Sequence, residues 1–98
     1  MSMNLTLHVD GREEELWQTP THITYMCLMG EDGKYGSKSG SEARRALYMY
    51  CEWVRSTLNG SWESDGAYKA AAASVNEHVA YIEGIAEAPH QYINVGYI

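Results

Sequence analysis

The chain has 98 residues, of which 45% are hydrophobic and 20% charged, and its formal net charge is −6 at pH 7. This length predicts one globular domain over residues 1–98, and the balance of apolar and charged residues excludes an intrinsically disordered chain. The acidic charge argues against general binding to nucleic acids or anionic membranes, and it favours a partner with a basic surface.

The first predicted elements form an N-terminal β-hairpin. Apolar residues at alternate positions indicate a half-buried strand: Leu5, Leu7 and Val9. The dipeptide Asp10-Gly11 favours a two-residue turn, because both positions tolerate a positive φ. The returning strand is expected over residues 12–19. It contains three adjacent carboxylates, which must lie at a solvated edge and would repel other strands there: Glu13, Glu14 and Glu15.

The segment from Thr21 to Met29 can be interpreted in two ways. Its Thr, Ile, Tyr and Cys residues favour a strand in which alternate side chains share a face. The preceding Thr19-Pro20 is instead typical of a helix start, with Gly30 as its end. We expect a strand and keep the helix as the alternative. Residues 30–40 contain four glycines and should form a loop that can hold a short strand around Tyr35.

Two amphipathic helices are predicted after this loop. The Ser39-x-x-Glu42 spacing of a capping box starts a helix that should run to about Leu58, before Asn59-Gly60 ends it. The second helix should span about Asp65 to Gly84 and pack antiparallel to the first, because the connection is short. Apolar residues recur every three or four positions and predict the core faces: Ala43, Leu47, Tyr50, Val54 and Leu58, then Tyr68, Ala72, Val75, Val79 and Ile82.

Alternation of Ile93, Val95 and Tyr97 after Pro89 predicts a last strand that joins the N-terminal sheet. Together these elements predict an α+β fold. It is a small two-layer domain in which an antiparallel sheet, made of the N-terminal hairpin or meander plus the C-terminal strand, packs against two antiparallel helices.

The distribution of cysteines and histidines argues against a metal site, a cofactor and an enzyme. Cys27 and Cys51 lie in apolar segments without the spacing of a disulfide framework, so we expect buried, reduced thiols. The first nine residues do not resemble a secretory signal, which favours a cytoplasmic location. His78 beside Glu77 or Glu83 could act as a weak base, but a core histidine bonded to a backbone carbonyl is the preferred interpretation.

All eleven aromatic residues are Tyr or Trp, and Phe is absent. Such rings suit contact surfaces, because each has a polar tip that can stay in water. The first long helix is apolar around most of its circumference, so its rings and the acidic run are the predicted partner-binding residues: Trp53, Tyr48, Met49, Trp62, Glu13, Glu14 and Glu15. The same rings could instead cover the second face of the sheet or form the seam of a homo-oligomer.

Four of the seven basic residues precede or begin this helix: Lys34, Lys38, Arg44 and Arg45. Cations near a helix N-terminus can bind a phosphate or carboxylate, so these four residues are an alternative, anion-binding site. The glycine spacing matches neither the phosphate-binding loop of nucleotide hydrolases nor the dinucleotide-binding motif, and ordinary solvated lysines are the favoured interpretation.

The sequence therefore predicts a non-enzymatic, acidic inhibitor or adaptor that works by occluding a surface of a partner protein. Small acidic proteins without recognisable motifs include phage anti-defence proteins, and this analogy rests on size and charge alone. The alternatives are an immunity or antitoxin-type protein, or an oligomeric binder of a phosphorylated or anionic small molecule at the corner between Lys34 and Arg45.

Overall fold

Seven elements follow one another in the computed structural model, which describes residues 2–59 and 65–97: β1 (Ser2–Val9), β2 (Arg12–Pro20), α1 (Thr21–Leu28), β3 (Lys38–Ser39), α2 (Gly40–Asn59), α3 (Asp65–Glu87) and β4 (Ile93–Tyr97). Both predicted long helices are present, and the second ends at Glu87, a little beyond the predicted Gly84. The small α+β fold is confirmed, with a third, short helix where the sequence favours a strand.

The four strands form one antiparallel sheet in the order β2-β1-β4-β3. Asp10 and Gly11 have φ angles of 48° and 82°, as the predicted turn between β1 and β2 requires. The C-terminal strand pairs with the other side of β1, so the prediction that it joins the N-terminal sheet is confirmed.

Asp10 fastens the start of β4 to this hairpin turn. Its carboxylate accepts hydrogen bonds from the backbone N–H groups of Gln91 and Tyr92, at 2.8 and 3.1 Å, and from Nδ1 of His90 at 2.8 Å. The His90 bond first, and then the backbone bonds, hold the pKa of Asp10 below its ordinary value. The turn and the last strand are thereby tied together.

Helices α1 and α2 pack against one face of the sheet, and α3 packs against α2. On β1 and β4 this face is apolar, and it joins the helices in one buried cluster that includes Leu5, Leu7, Val9, Leu47, Tyr50, Val54, Val79, Ile82, Ile93 and Val95. The Arg44 guanidinium at the start of α2 donates to the Ala88 carbonyl just beyond the end of α3, which shows that these helices run antiparallel. The predicted core faces are confirmed where the structure describes them, and the side chains of Leu58 and Tyr68 lie outside that part.

The prediction of a strand over residues 21–29 is wrong, because Thr21–Leu28 is helix α1. Thr24, Cys27 and Leu28 are buried, which is the spacing of a helical face and not of alternate strand positions. The Thr24 hydroxyl bonds the Thr19 hydroxyl and the Pro20 carbonyl, which lies one helical turn earlier. Only Met29, beyond the helix, makes a strand-like contact, an isolated bridge to Tyr35.

Both cysteines are free and buried, as expected. Burial raises the pKa of Cys27 to about 11 and that of Cys51 to about 12. Among the described helices, none combines the length and apolar character needed to cross a lipid bilayer.

Candidate functional site

Helix α1 has apolar side chains on both of its faces. It contains no Asp, Glu, Lys or Arg. While one face is buried in the core, the other presents Tyr25 and Met26 to solvent, with exposed fractions of 46% and 54%. Met29 follows the helix and is 39% exposed. We call Tyr25, Met26 and Met29 the α1 face. A helix that covers a core normally has a polar outer side, so this face is unusual.

A groove of about 300 Å³ lies between α1 and α2, next to Met26. Its lining is mainly apolar and contains one charged residue: Ile23, Met26, Cys27, Met49, Glu52, Trp53 and Ser56. Ser56 donates to the backbone carbonyl of Glu52 at 2.9 Å. The Glu52 carboxylate itself is exposed and has no hydrogen bond or ion pair to any residue that the structure describes.

A cluster of three tyrosines borders the other side of α1. The ring centre of Tyr35 lies 4.6 Å from that of Tyr25 and 5.7 Å from that of Tyr97. Burial, together with the neighbouring Tyr97, raises the pKa of Tyr35 to about 12. Tyr25 therefore connects the α1 face to a second patch of aromatic surface on the loop and on β4.

Two of the predicted partner-binding residues, Met49 and Trp53, meet in the groove, but Tyr48 does not join them. Successive residues on a helix point about 100° apart, since a turn takes 3.6 residues. Tyr48 faces α3, where burial and the nearby Glu87 carboxylate raise its pKa. Trp62 lies outside the described residues.

The predicted acidic run lies on the edge strand β2, away from the α1 face. Glu14 turns toward the helices and accepts hydrogen bonds from Arg12 and Tyr81, both at 2.8 Å, which hold its pKa below the ordinary value. Glu13 and Glu15 are exposed, and Glu13 lies 3.6 Å from His8. Pro20, which precedes α1, lies six positions after Glu14 along the strand, which is about 20 Å.

The four predicted anion-binding residues do not converge. Arg44 donates to the carbonyls of Ala86 and Ala88 and thereby caps the C-terminus of α3. Lys38 donates to the Lys34 carbonyl at 3.2 Å, and its side chain lies beside Gly30 together with the Asp32 and Glu42 carboxylates. Arg45 and Lys34 are exposed. The Asp32 and Glu42 carboxylates thus offset the charge of Lys38. The Arg44 guanidinium already binds two backbone carbonyls.

Comparison with known proteins finds no matching family model, no similar curated protein and no similar solved structure. Over the residues described, no group of three or more His, Cys, Asp or Glu side chains is arranged to hold a metal ion. The interpretation of the site therefore depends on its own geometry.

The side chain of His78 is bonded to a tyrosine hydroxyl and not to the backbone carbonyl expected from the sequence. Tyr50 Oη lies 2.7 Å from His78 Nε2 and also accepts the Trp17 backbone N–H at 2.8 Å. The indole of Trp17 stacks on the imidazole at 4.2 Å, nearly parallel. A β-bulge that sets Leu16 and Trp17 opposite Leu5 makes this contact possible.

This arrangement requires neutral His78. Burial raises the pKa of Tyr50 well above its ordinary value, so the phenol stays protonated. Its O–H group then donates a hydrogen bond to Nε2 of His78. Burial also lowers the pKa of His78. The contribution of neutral His78 to the free energy of unfolding is therefore complete above pH ~6.5, the ordinary pKa of histidine. This contribution is lost as the pH falls through the lowered pKa that His78 has in the folded protein.

We expect the difference in free energy of unfolding between wild type and His78→Gln to shrink from pH 8 to pH 5. The amide oxygen of glutamine can still accept a hydrogen bond from the Tyr50 hydroxyl, but glutamine does not titrate. The measurement is urea denaturation at several pH values, and the other histidines are common to both proteins. Parallel stability curves for the two proteins would contradict the assigned proton positions.

The α1 face could not be identified from the sequence, because it depends on a helix in a segment, residues 21–29, for which the sequence favours a strand. The indication was nonetheless present. His22, Tyr25, Met26 and Met29 have the spacing of one helical stripe, directly after a proline that can begin a helix.

Proposed function

We propose that this protein is a non-enzymatic protein-binding domain, an inhibitor or adaptor, that occludes a surface of another protein with the α1 face and the adjoining groove. The observation that carries the proposal is the uncharged helix α1, whose outer side exposes Tyr25 and Met26 although its inner side already serves the core.

The composition of this surface supports binding. Contiguous exposed apolar patches on a small protein mark interaction sites more often than scattered apolar residues do. Tyr and Trp contribute rigid contact area, and Met adapts its shape to a partner. Six of the nine aromatic side chains that the structure describes are exposed, and only Tyr50 is buried.

The reactive groups give less support to catalysis. The raised pKa values of Cys27 and Cys51 leave both thiols protonated at neutral pH, whereas a nucleophilic cysteine needs a lowered pKa. His78 is occupied by Tyr50 and covered by Trp17. The net charge of −6 favours a partner with a basic surface.

A matched pair of tyrosine substitutions tests the proposal. The wild-type protein is used to capture binding partners from a lysate of its source, and the affinity of the main partner is then measured by calorimetry. We expect Tyr25→Ala to weaken binding by about 30-fold, the loss of a typical hot-spot residue. Tyr92→Ala removes a ring of similar exposure, just before the start of β4, and should change the affinity little.

Met26→Glu provides a second variant, which should leave the fold intact because this side chain is more than half exposed. It should abolish capture by placing a charge in the apolar contact. Normal partner binding by both Tyr25→Ala and Met26→Glu, with folding confirmed by circular dichroism, would overturn the proposal.

A further inference from the structure

We infer that the segment bound in the groove between α1 and α2 is a short amphipathic helix of the partner. Its apolar anchors, the side chains that enter the groove, have a lysine or arginine beside them. The inference rests on the proposed function and specifies what kind of structure that site binds.

The walls of the groove favour a helix over a strand. Both walls are α-helices, whose backbone N–H and C=O groups bond internally and offer no edge to an extended peptide. Side chains from a third helix can insert between two such walls. Helix α1 has eight residues and is therefore about 12 Å long, or about two turns. This length matches two apolar anchors, spaced three or four residues apart.

The lining of the groove favours apolar anchors of variable shape. Met26 and Met49 stand on opposite walls, and their flexible thioether side chains can rearrange around an incoming residue. Trp53 supplies the rigid part of the lining. The site should therefore accept leucine, methionine or an aromatic ring, and should discriminate among them only weakly.

Glu52 supplies the charge preference. It lies between Met49 and Trp53 in α2, and its carboxylate has no partner among the described residues. A cation on the bound helix, within one turn of an anchor, would pair with it. The net charge of −6 attracts such a segment and repels an acidic one.

A second copy of this chain fits the groove less well. The exposed apolar helix that a copy would offer is α1, which has no lysine or arginine to pair with Glu52. Association would also bring together two molecules that each carry a charge of −6. Charge complementarity thus favours a different, basic partner.

The test is selection from a displayed library of short peptides, in which a helix-favouring alanine framework carries randomised positions. We expect wild-type protein to select apolar residues three or four positions apart with a flanking Lys or Arg. Glu52→Lys should bind these peptides about tenfold more weakly and should select acidic flanks instead. Glu77→Lys makes the same charge change on the exposed surface of α3 and should leave the selection unchanged.

Two readouts locate the peptide. The ¹³C-labelled methyl groups of Met26 and Met49 should shift in NMR spectra when a selected peptide binds, and sedimentation should show one protein with one peptide. Selection of no helical peptide, neutral or acidic flanks on the wild type, or equal effects of Glu52→Lys and Glu77→Lys would overturn the inference. So would a protein dimer that Met26→Glu dissociates. Failure of the proposed function is seen separately, in the capture experiment with Tyr25→Ala.

Discussion

Leu28→Ala is expected to lower the free energy of unfolding by about 2–5 kcal/mol, the usual result of deleting a buried leucine side chain and leaving a cavity. Leu28 is fully buried at the end of α1 and contributes to the core cluster beneath this helix. An isolated helix of eight residues is unstable in water, so α1 depends on this packing for its existence.

The matched control is Met26→Ala, on the outer side of the same helix. This side chain is mainly exposed, and alanine is a good helix former, so the change should stay within about 0.5 kcal/mol. Both variants are compared by urea denaturation. Equal destabilisation by the two substitutions would show that α1 does not pack on the core with the orientation described.

Tyr50→Phe is expected to lower the free energy of unfolding by about 1–3 kcal/mol, because it removes one hydroxyl that satisfies two groups. The Trp17 backbone N–H loses its acceptor and His78 Nε2 loses its donor, while the ring of residue 50 still fills its fully buried position. The bond from α2 to the bulge of β2 is lost at the same time as the bond to α3.

Tyr92→Phe is the control for the same chemical change at an exposed tyrosine, and it should alter the stability by less than about 0.5 kcal/mol. Tyr50→Phe should also weaken the stacking of Trp17 on His78, which near-ultraviolet circular dichroism and tryptophan fluorescence can detect. A Tyr50→Phe protein as stable as the Tyr92→Phe protein would mean that the hydroxyl does not link the three elements.

The elements that were predictable from sequence are those with one apolar face. β1 alternates and α2 repeats every three or four residues, so local spacing was sufficient to assign both. In α1 neither period dominates, because apolar side chains lie on its outer side as well as on its inner side. The β-favouring residues Thr21, Ile23 and Tyr25 then outweighed Pro20 as a start signal. What decides the conformation is tertiary, since the helix buries Thr24, Cys27 and Leu28 on one face.

The candidate site was predictable to the same extent. Met49 and Trp53 were identified because α2 was correctly assigned, although the adjacent Tyr48 points toward α3. Met26 and the other residues of the α1 face can be identified only when residues 21–28 are known to form helix α1. Arg44 illustrates a different difficulty: its charge suggested an anion site, but its guanidinium binds carbonyls more than forty positions later in the chain. Spacing along the sequence does not reveal such a distant acceptor.

The position of β1 at the centre of the sheet has a consequence for how the chain acquires its structure. Leu7 pairs with Glu14 on one side and with Val95 on the other, so one pairing partner is synthesised seven positions later and the other eighty-eight positions later. During synthesis the N-terminal hairpin must wait, with one backbone edge of β1 unpaired, until residues 93–97 have left the ribosome, more than eighty positions after β1. Closure of so long a loop is slow compared with hairpin formation, so completion of the sheet should be a late step of folding.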